Sequence, residues 1–195
     1  MTSTTAKTAL TAAPIMPVIA ERWSPRSFDT TYQLTQGELL SMLEAGRWAP
    51  SANNAQPTRF FVVTREDKNH EAISATLAGW NQAWAPNASA IILVAVAATN
   101  ADGNVNPFAQ YDAGQAVAYL TIQAHDMGLH VHQMAGLDIA KAAEILDIPG
   151  DLQLIVSAVV GKLAPADQLP EPLHEREIAP RTRLELDEVV VYGRP

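Results

Sequence analysis

Apolar positions recur at helical spacing in four parts of the chain, and three of these parts carry a start or stop signal. The patterns predict helices over residues 35–48, 66–80, 112–127 and 138–146. The first begins at a capping box formed by Thr35 and Glu38, and the third ends at Gly128, a residue type common after helix C-termini. Asp138 is the predicted N-cap of the last helix.

Short runs of β-branched, aromatic and apolar residues lie between these helices. They predict strands over residues 59–64, 90–97, 129–133, 154–160 and 189–192. The runs at 90–97 and 154–160 are apolar enough to be buried on both faces of a sheet. Short strands separated by long helices indicate a mixed α+β protein, in which helices must cover both sheet faces.

The chain has 195 residues, which is the size of one domain. Residues 1–13 are rich in Thr, Ala and Ser and are predicted to be a flexible tail, so that residues 14–195 form the folded domain. Pro14 and Pro17 interrupt the apolar part of this N-terminus, unlike a secretory signal peptide. The longest apolar run is about half of the roughly 20 residues that cross a bilayer. We therefore expect a cytoplasmic protein with no membrane partner.

Charge and cysteine content exclude several function classes. The 13 Lys and Arg against 21 Asp and Glu give a formal net charge of −8. A net acidic protein gains little from counterion release on a phosphate backbone, so we expect no nucleic-acid partner. The absence of cysteine excludes disulfides, thiolate metal sites, iron–sulfur clusters and a cysteine nucleophile.

Common catalytic and phosphate-binding signatures are absent from the sequence. It has no G-x-G-x-x-G, Walker A, G-x-S-x-G or H-E-x-x-H motif, so a bound phosphate would need side-chain partners. His125, His130 and His132 lie close together, and the last two would share one face of a strand. No carboxylate occupies a convincing third-ligand position, so we favour packing or hydrogen bonding for these histidines and predict no metal site.

Arginines occur in two closely spaced pairs in segments without helical pattern. Arg22, Ser24 and Arg26 form R-x-S-x-R near the start of the chain. Arg181 and Arg183 form R-x-R in the Pro-rich C-terminal part. Side chains at i and i+2 of an extended segment project from one face, so each pair could bind a single anion. A solvated surface pair is the alternative that the spacing leaves open.

A polar loop, residues 50–57, has the sequence PSANNAQP. Asn and Gln amides both donate and accept hydrogen bonds, which suits the edge of a heteroaromatic ring that carries a carbonyl beside an N–H. A plain Asn-rich turn is the alternative for this loop.

The order of these motifs resembles the FMN-dependent nitroreductase family. RWSPRSF is followed by APSANNAQPTRFFVV, then by WNQAWAPNASAIILVAV, HQMAGLD and finally PRTRLELDEVV. The resemblance extends from about residue 19 to residue 191, and its most specific part is the first two motifs in tandem. It implies a nitroreductase-like α+β fold with a central, mostly antiparallel sheet flanked by helices. It also implies a C-terminal segment exchanged between the two subunits of a dimer.

The resemblance implies an FMN site built from both ends of the chain. The family's groups for the flavin phosphate and ribityl chain match Arg22, Ser24, Arg181 and Arg183. Arg26 matches the basic position beside the flavin pyrimidine ring, where positive charge would stabilise negative charge at N1. The full implied set of cofactor-binding residues is Arg22, Trp23, Ser24, Arg26, Pro50, Ser51, Ala52, Asn54, Gln56, Asn81, Ala135, Gly136, Arg181 and Arg183.

Three other parts of the chain complete the site that the resemblance implies. The polar loop would reach the flavin of the partner subunit. Asn81 would hydrogen-bond the flavin of its own subunit, and the backbone N–H groups of Ala135 and Gly136 would lie near N5 and O4. Trp84 stands at a position that is frequently basic in relatives.

The function that the resemblance implies is that of an FMN-dependent oxidoreductase. NADH or NADPH would give hydride to flavin N5, and an electron-poor small molecule such as a nitroaromatic or quinone would then be reduced in a ping-pong mechanism. The implied assembly is a homodimer. Two alternatives stay open. One is a flavin-binding protein, FMN-dependent dehydrogenase or flavin-fragmenting relative without nicotinamide turnover, and the other is an interaction protein with a degenerate site.

Overall fold

The computed structural model describes residues 7–99 and 102–193. Its α-helices are α1 (Pro17–Glu21), α2 (Gln36–Arg47), α3 (His70–Ala75), α4 (Ala109–Asp126), α5 (Ile139–Ile145), α6 (Leu173–Ile178) and α7 (Leu186–Val189). Its strands are β1 (Thr58–Thr64), β2 (Ala90–Ala97), β3 (His130–Met134) and β4 (Leu152–Gly161). Short 3₁₀ turns occupy Ala52–Asn54, Gly79–Ala83, Ala85–Asn87 and Ala166–Gln168. Within the described ranges, no helix combines the length and apolarity that a membrane crossing requires.

The four strands form one sheet in the order β1-β2-β4-β3, and every neighbouring pair is antiparallel. In the centre of the sheet, Leu93 of β2 pairs with Phe61 of β1 and with Ser157 of β4. The register of β2 against β4 shifts by one residue between Val94 and Ala95. The predicted α+β fold with an antiparallel sheet flanked by helices is confirmed.

Both faces of the sheet are covered by buried side chains, as the pattern of short strands and long helices predicts. On one face, Met42 of α2 and Leu120 of α4 pack over Ile92 of β2. On the other face, Phe28 and Trp84 belong to a second cluster that contains the remaining side of β2. Each fully buried large side chain stabilises the fold by about 1.5–3 kcal/mol. The two cores hold the segments that follow the strands in fixed positions.

The predicted helix signals are present in the structure. The Thr35 hydroxyl accepts from the Glu38 N–H at 3.2 Å, and the Glu38 carboxylate accepts from the Thr35 N–H at 2.9 Å. The Asp138 carboxylate accepts from the Lys141 N–H at 3.0 Å, which caps α5. Gly128 follows α4 with φ of +74°, a conformation that glycine adopts at little cost.

The single helix predicted over residues 66–80 is wrong, because only His70–Ala75 is helical there. Leu77 forms a β-bridge with Leu137, which draws the chain away from the helix axis. Gly79 then takes φ of +57° and begins the 3₁₀ turn Gly79–Ala83. Tertiary pairing therefore ends a helix that its own sequence pattern would continue.

The strand predicted over residues 189–192 is also wrong. Glu185 and Glu188 form a capping box, in which each side chain accepts from the other residue's backbone N–H. The cap starts α7 at Leu186, and the helix ends at Val189. The segment that follows is exposed at Val191 and Tyr192 and does not join the sheet.

Residues 7–13, part of the predicted tail, lie beside α1. The Ala9 N–H donates to the Ala20 carbonyl at 2.9 Å. The Arg181 guanidinium Nη1 donates to the Lys7 carbonyl at 2.8 Å and to the Ala20 carbonyl at 2.6 Å. Residues 1–6 lie outside the described residues, and the flexibility of the tail stays a prediction.

Candidate functional site

The two arginine pairs lie on one basic cavity, although they are far apart in sequence. R-x-S-x-R follows α1, and R-x-R follows α6. The cavity has a volume of about 230 Å³ and is lined by Lys7, Arg22, Trp23, Ser24, Arg26, Arg176, Ala179, Pro180, Arg181 and Arg183. The structure thus brings together the residues that the resemblance assigns to the flavin phosphate, and it adds Lys7 and Arg176 to them.

The basic side chains of this cavity repel one another. Burial lowers the pKa of Arg22, and the charges of Arg181 and Arg183 lower it further. The Arg22 Nη1 donates to the Ser24 hydroxyl at 3.3 Å, which turns the guanidinium along the R-x-S-x-R segment. Because arginine stays protonated in proteins, the lowered pKa reflects first the cost of burying this cation, to which the excess of neighbouring positive charge adds. A bound anion would offset that excess, so the cavity is suited to a phosphate group.

Glu177 of α6 supplies a buried carboxylate beside this cavity, with 2% of the residue exposed. Its two oxygens accept from the Arg26 N–H at 3.0 and 2.9 Å, and Oε1 also accepts from the Ser27 N–H at 3.0 Å. Its Oε2 lies 3.9 Å from the Arg26 Nη1. Burial raises the pKa of Glu177, and the hydrogen bonds and nearby cations oppose that rise. Glu177 therefore ties the R-x-S-x-R backbone to the C-terminal part of the chain.

His132 holds the same backbone from the sheet side. Its Nδ1 lies 2.8 Å from the Pro25 carbonyl, and because a carbonyl only accepts, Nδ1 carries the donated proton. Burial lowers the pKa of His132 to about 4. Its ring lies 4.5 Å from that of Trp84, which is 1% exposed and stacks on Phe28 at 6.2 Å. Trp84 is thus a core residue that packs against the His132 ring.

His130 packs beneath Trp23 and is not part of a metal cluster. Its ring centroid lies 6.3 Å from Trp23 and 5.2 Å from His125, both at steep interplanar angles. Burial, with the charges of His125 and Arg22, lowers the pKa of His130 to about 4. Among residues 7–99 and 102–193, no three His, Asp or Glu side chains converge on a possible metal position.

The polar loop has a specific backbone conformation. Asn53, Asn54 and Gln56 have φ of +52°, +56° and +47°, in the left-handed region that costs most residues about 1–3 kcal/mol each. The buried Asp112 carboxylate on α4 accepts from the Ala52 N–H at 3.2 Å through both oxygens. Asparagine tolerates this region better than most residues, which lowers the cost of the turn.

Contacts within the loop hold its C-terminal half. The Gln56 N–H donates to the Ser51 hydroxyl at 3.0 Å, and the Gln56 amide Nε2 donates to the Asn54 carbonyl at 3.2 Å. Pro50, Ser51 and Gln56 line a second cavity of about 320 Å³, together with Asp112. Among the described residues, this loop cavity shares no lining residue with the basic cavity. One chain therefore does not bring the loop residues and the arginines onto a common cavity.

The loop after β3 places Gly136 beside Asn81, which lies in the 3₁₀ turn Gly79–Ala83. The Gly136 carbonyl accepts from the Ala78 N–H at 3.0 Å. A Cβ atom placed on Gly136 would lie 3.0 Å from the Ala78 Cβ and 3.7 Å from the Asn81 Nδ2. Ala135 and Gly136 follow β3 without regular secondary structure, and glycine is favoured at residue 136 because a side chain there would press on Ala78.

Sequence reasoning missed several of the side chains that shape these cavities. Lys7, Arg176, Glu177 and Asp112 were not among the candidate residues, whereas hydrogen bonding was one of the two roles favoured for His132. A lone Glu in the charged segment before R-x-R gives no local sign of its role, since its partners are about 150 positions away in the chain. The two arginine pairs were the sequence feature from which an anion-binding site could be predicted.

Known proteins resemble this chain over most of its length. The family model described as the Nitroreductase family matches residues 19–162. A solved structure described as "The crystal structure of the oxidoreductase containing FMN" is 34% identical, covers 95% of this chain and 94% of its own, and superposes with a TM-score of 0.89.

Curated relatives match shorter parts. The "Uncharacterized 15.4 kDa protein in ask 5'region" of Mycolicibacterium smegmatis is 37% identical over 122 residues, which cover 61% of this chain and 82% of that protein. The oxygen-insensitive NADPH nitroreductase of Helicobacter pylori strain J99 is 32% identical over 77 residues, 40% of this chain and 36% of that protein. The family match spans R-x-S-x-R, the polar loop and the turn at Gly136, and the chain belongs to the nitroreductase family.

Proposed function

We propose that this protein is an FMN-dependent oxidoreductase that uses NADH or NADPH to reduce an electron-poor small molecule. The observation that carries the proposal is the basic cavity, where R-x-S-x-R and R-x-R converge. The solved relative with a TM-score of 0.89 is described as containing FMN, and the Helicobacter relative is named an NADPH nitroreductase. Both names support the same class of reaction for this chain.

The residues of the basic cavity fit a flavin phosphate. Arg22, Arg181 and Arg183 offer charged N–H donors, and the Ser24 hydroxyl can donate as well. A phosphate monoester carries close to two negative charges at neutral pH, which would relieve the repulsion among these cations. Arg26, held by Glu177, would provide positive charge near the pyrimidine ring.

The remaining predicted residues would position the ring system. In this proposal the backbone N–H groups of Ala135 and Gly136 would face the flavin ring, and the Asn81 amide, 3.7 Å from the position of a Cβ on Gly136, would lie beside them. When bound, FMN supplies the redox chemistry, hydride acceptance at N5 followed by reduction of the acceptor in a ping-pong sequence. No protein nucleophile or general base is needed, so the chain's contribution is binding, orientation and electrostatic stabilisation.

We infer that two chains complete each site as a homodimer. Pro50, Ser51, Ala52, Asn54 and Gln56 would contact the flavin of the partner subunit, which accounts for a loop cavity separate from the basic cavity. The C-terminal segment, proposed to exchange between subunits, exposes Leu184, Val191 and Tyr192 at 68%, 83% and 95%. Exposed apolar side chains of this kind mark interaction surfaces. Light scattering that finds a flavin-loaded monomer would contradict the inference.

The test of function is a flavin titration followed by anaerobic reduction. We expect the purified protein to bind FMN and to lose its flavin absorbance when NADH or NADPH is added without oxygen. Failure of the protein to bind FMN would refute both the proposed oxidoreductase activity and the alternative of a flavin-binding protein without turnover. A protein that binds FMN but is reduced by neither nicotinamide would support a flavin protein without nicotinamide turnover.

A further inference from the structure

A segment that precedes the family match contributes to the basic cavity. The match begins at residue 19, whereas Lys7 lies on the wall of the cavity. The backbone around Lys7 is held on both sides, by Arg181 at the Lys7 carbonyl and by Ala20 at the Ala9 N–H. The position of Lys7 is therefore set by contacts with the cavity wall.

The Lys7 ammonium group faces the residues predicted to bind the flavin phosphate. Its Nζ donates to the Ala179 carbonyl and lies 4.7 Å from the centroid of the Trp23 ring. Burial lowers the pKa of Lys7, the carboxylate of Glu177 opposes this, and the charges of Arg181 and Arg26 lower the pKa further. An ammonium group has three N–H donors, so the bond to Ala179 does not exhaust its capacity.

We propose that Lys7 is a direct ligand of the FMN phosphate, supplied by the segment before the family domain. The inference rests on the proposed function, because it needs a flavin phosphate in the basic cavity. Three observations support it: Lys7 lies on the cavity wall with its Nζ beside Ala179 and Trp23, its backbone is anchored, and Arg22, Arg26, Arg181 and Arg183 line the same cavity. Lys7 would bind the phosphate as a point charge opposite the planar guanidinium groups.

Comparing FMN with riboflavin tests this role, because the two flavins differ only by the phosphate. We expect Lys7→Met to raise the FMN dissociation constant about tenfold, the effect of losing one charge-assisted hydrogen bond, and to leave riboflavin affinity within about twofold. Lys7→Arg keeps the charge and should retain most of the FMN affinity. Lys141→Met is the matched control, since that ammonium is exposed and pairs with Glu144 on α5.

A second measurement reports on Lys7 directly. Acylation of lysines by an amine-reactive ester, followed by mass spectrometry, should show that FMN slows modification of Lys7 at least fivefold, on the order expected for a group in contact with ligand. Riboflavin should not protect Lys7, and neither flavin should protect Lys141. Flavin titrations would be read by fluorescence quenching, which does not depend on turnover.

Each other result overturns the proposal in a recognisable way. Equal FMN affinity in wild type and Lys7→Met would show that the phosphate does not use Lys7. Equal weakening of FMN and riboflavin would show that Lys7 only supports the fold around Trp23. A wild-type protein that binds neither flavin would overturn the proposed function together with this inference, whereas the first two results leave the function intact.

Discussion

Replacement of Glu177 should destabilise the protein more than its single ionic contact suggests. The carboxylate accepts hydrogen bonds from the backbone N–H groups of Arg26 and Ser27. Glu177→Ala removes this acceptor from both donors. An unsatisfied buried donor costs about 1–3 kcal/mol. The ion pair at 3.9 Å adds less, because the Arg26 side chain is 24% exposed and partly screened by solvent. We expect a loss of about 3–5 kcal/mol for Glu177→Ala.

Glu177→Gln separates hydrogen bonding from charge. The amide keeps one acceptor oxygen and presents an N–H group where the second oxygen stood, so we expect a loss of about 1–3 kcal/mol. Burial raises the pKa of Glu177, so the folded state binds its proton more readily than the unfolded state. The stability from this group is full below the ordinary pKa and falls as pH rises through the folded pKa. The deficit of Glu177→Gln should therefore shrink from pH 4.5 to pH 7.

The assay is urea denaturation followed by circular dichroism at several pH values. In a domain of this size, each kcal/mol corresponds to about 2–4 °C in Tm, so the Glu177→Ala loss is also measurable by heating. Glu175→Ala is the control, since Glu175 lies on the same helix and is exposed. If Glu177→Ala unfolds within 1 kcal/mol of wild type, or no more easily than Glu175→Ala, the clamp on the R-x-S-x-R backbone is refuted.

Three further predictions concern FMN binding in the basic cavity, packing at Gly136 and the pH dependence of stability. Arg183→Ala should weaken FMN binding by about 1.5–3 kcal/mol in a fluorescence titration, while Lys141→Ala, on α5 outside both cavities, should not; unchanged affinity for Arg183→Ala would refute the assignment. Gly136→Ala, whose Cβ would meet a neighbouring carbon at 3.0 Å, should cost about 1–3 kcal/mol and weaken flavin binding. Gly150→Ala is the control, because no atom lies within 4 Å of the added Cβ, and this variant should unfold like wild type. Equal Tm values for Gly136→Ala and Gly150→Ala would contradict the packing argument. Because burial lowers the pKa of both His130 and His132 to about 4, each histidine should reduce stability by up to about 3 kcal/mol between pH 6.5 and pH 4, and His130→Gln should remove about half of that combined slope in urea denaturation; an unchanged slope would contradict it.

Local signals in the sequence were sufficient for much of the fold. The cap at Thr35, the cap at Asp138 and the stop at Gly128 each depend on residues within one turn of the helix, so the sequence displays them directly. The helix over 66–80 was wrong because Leu77 pairs with Leu137, a partner 60 positions away that no local pattern reports. The strand at 189–192 was wrong because the capping box of Glu185 and Glu188 starts a helix that continues to Val189.

Some residues of the candidate site could be predicted from the sequence, and others could not. The arginine pairs were visible because i and i+2 spacing puts both side chains on one face, and their order along the chain supplied the resemblance. Glu177 and Lys7 were missed because their contacts cross 151 and 172 positions of sequence. Only folding shows that an isolated Glu and an isolated Lys flank the same cavity.

The bond from Arg181 to the Lys7 carbonyl joins residues 174 positions apart, so the basic cavity is the place where the two ends of the chain meet. Closing a contact between residues so far apart costs conformational entropy that a local contact does not. A ligand seated there binds only the finished chain, and at one hundred times its Kd it would stabilise that state by about 2.7 kcal/mol. Flavin binding would thus hold the segment around Lys7 and the segment around Arg181 together, and removing either segment should weaken flavin binding.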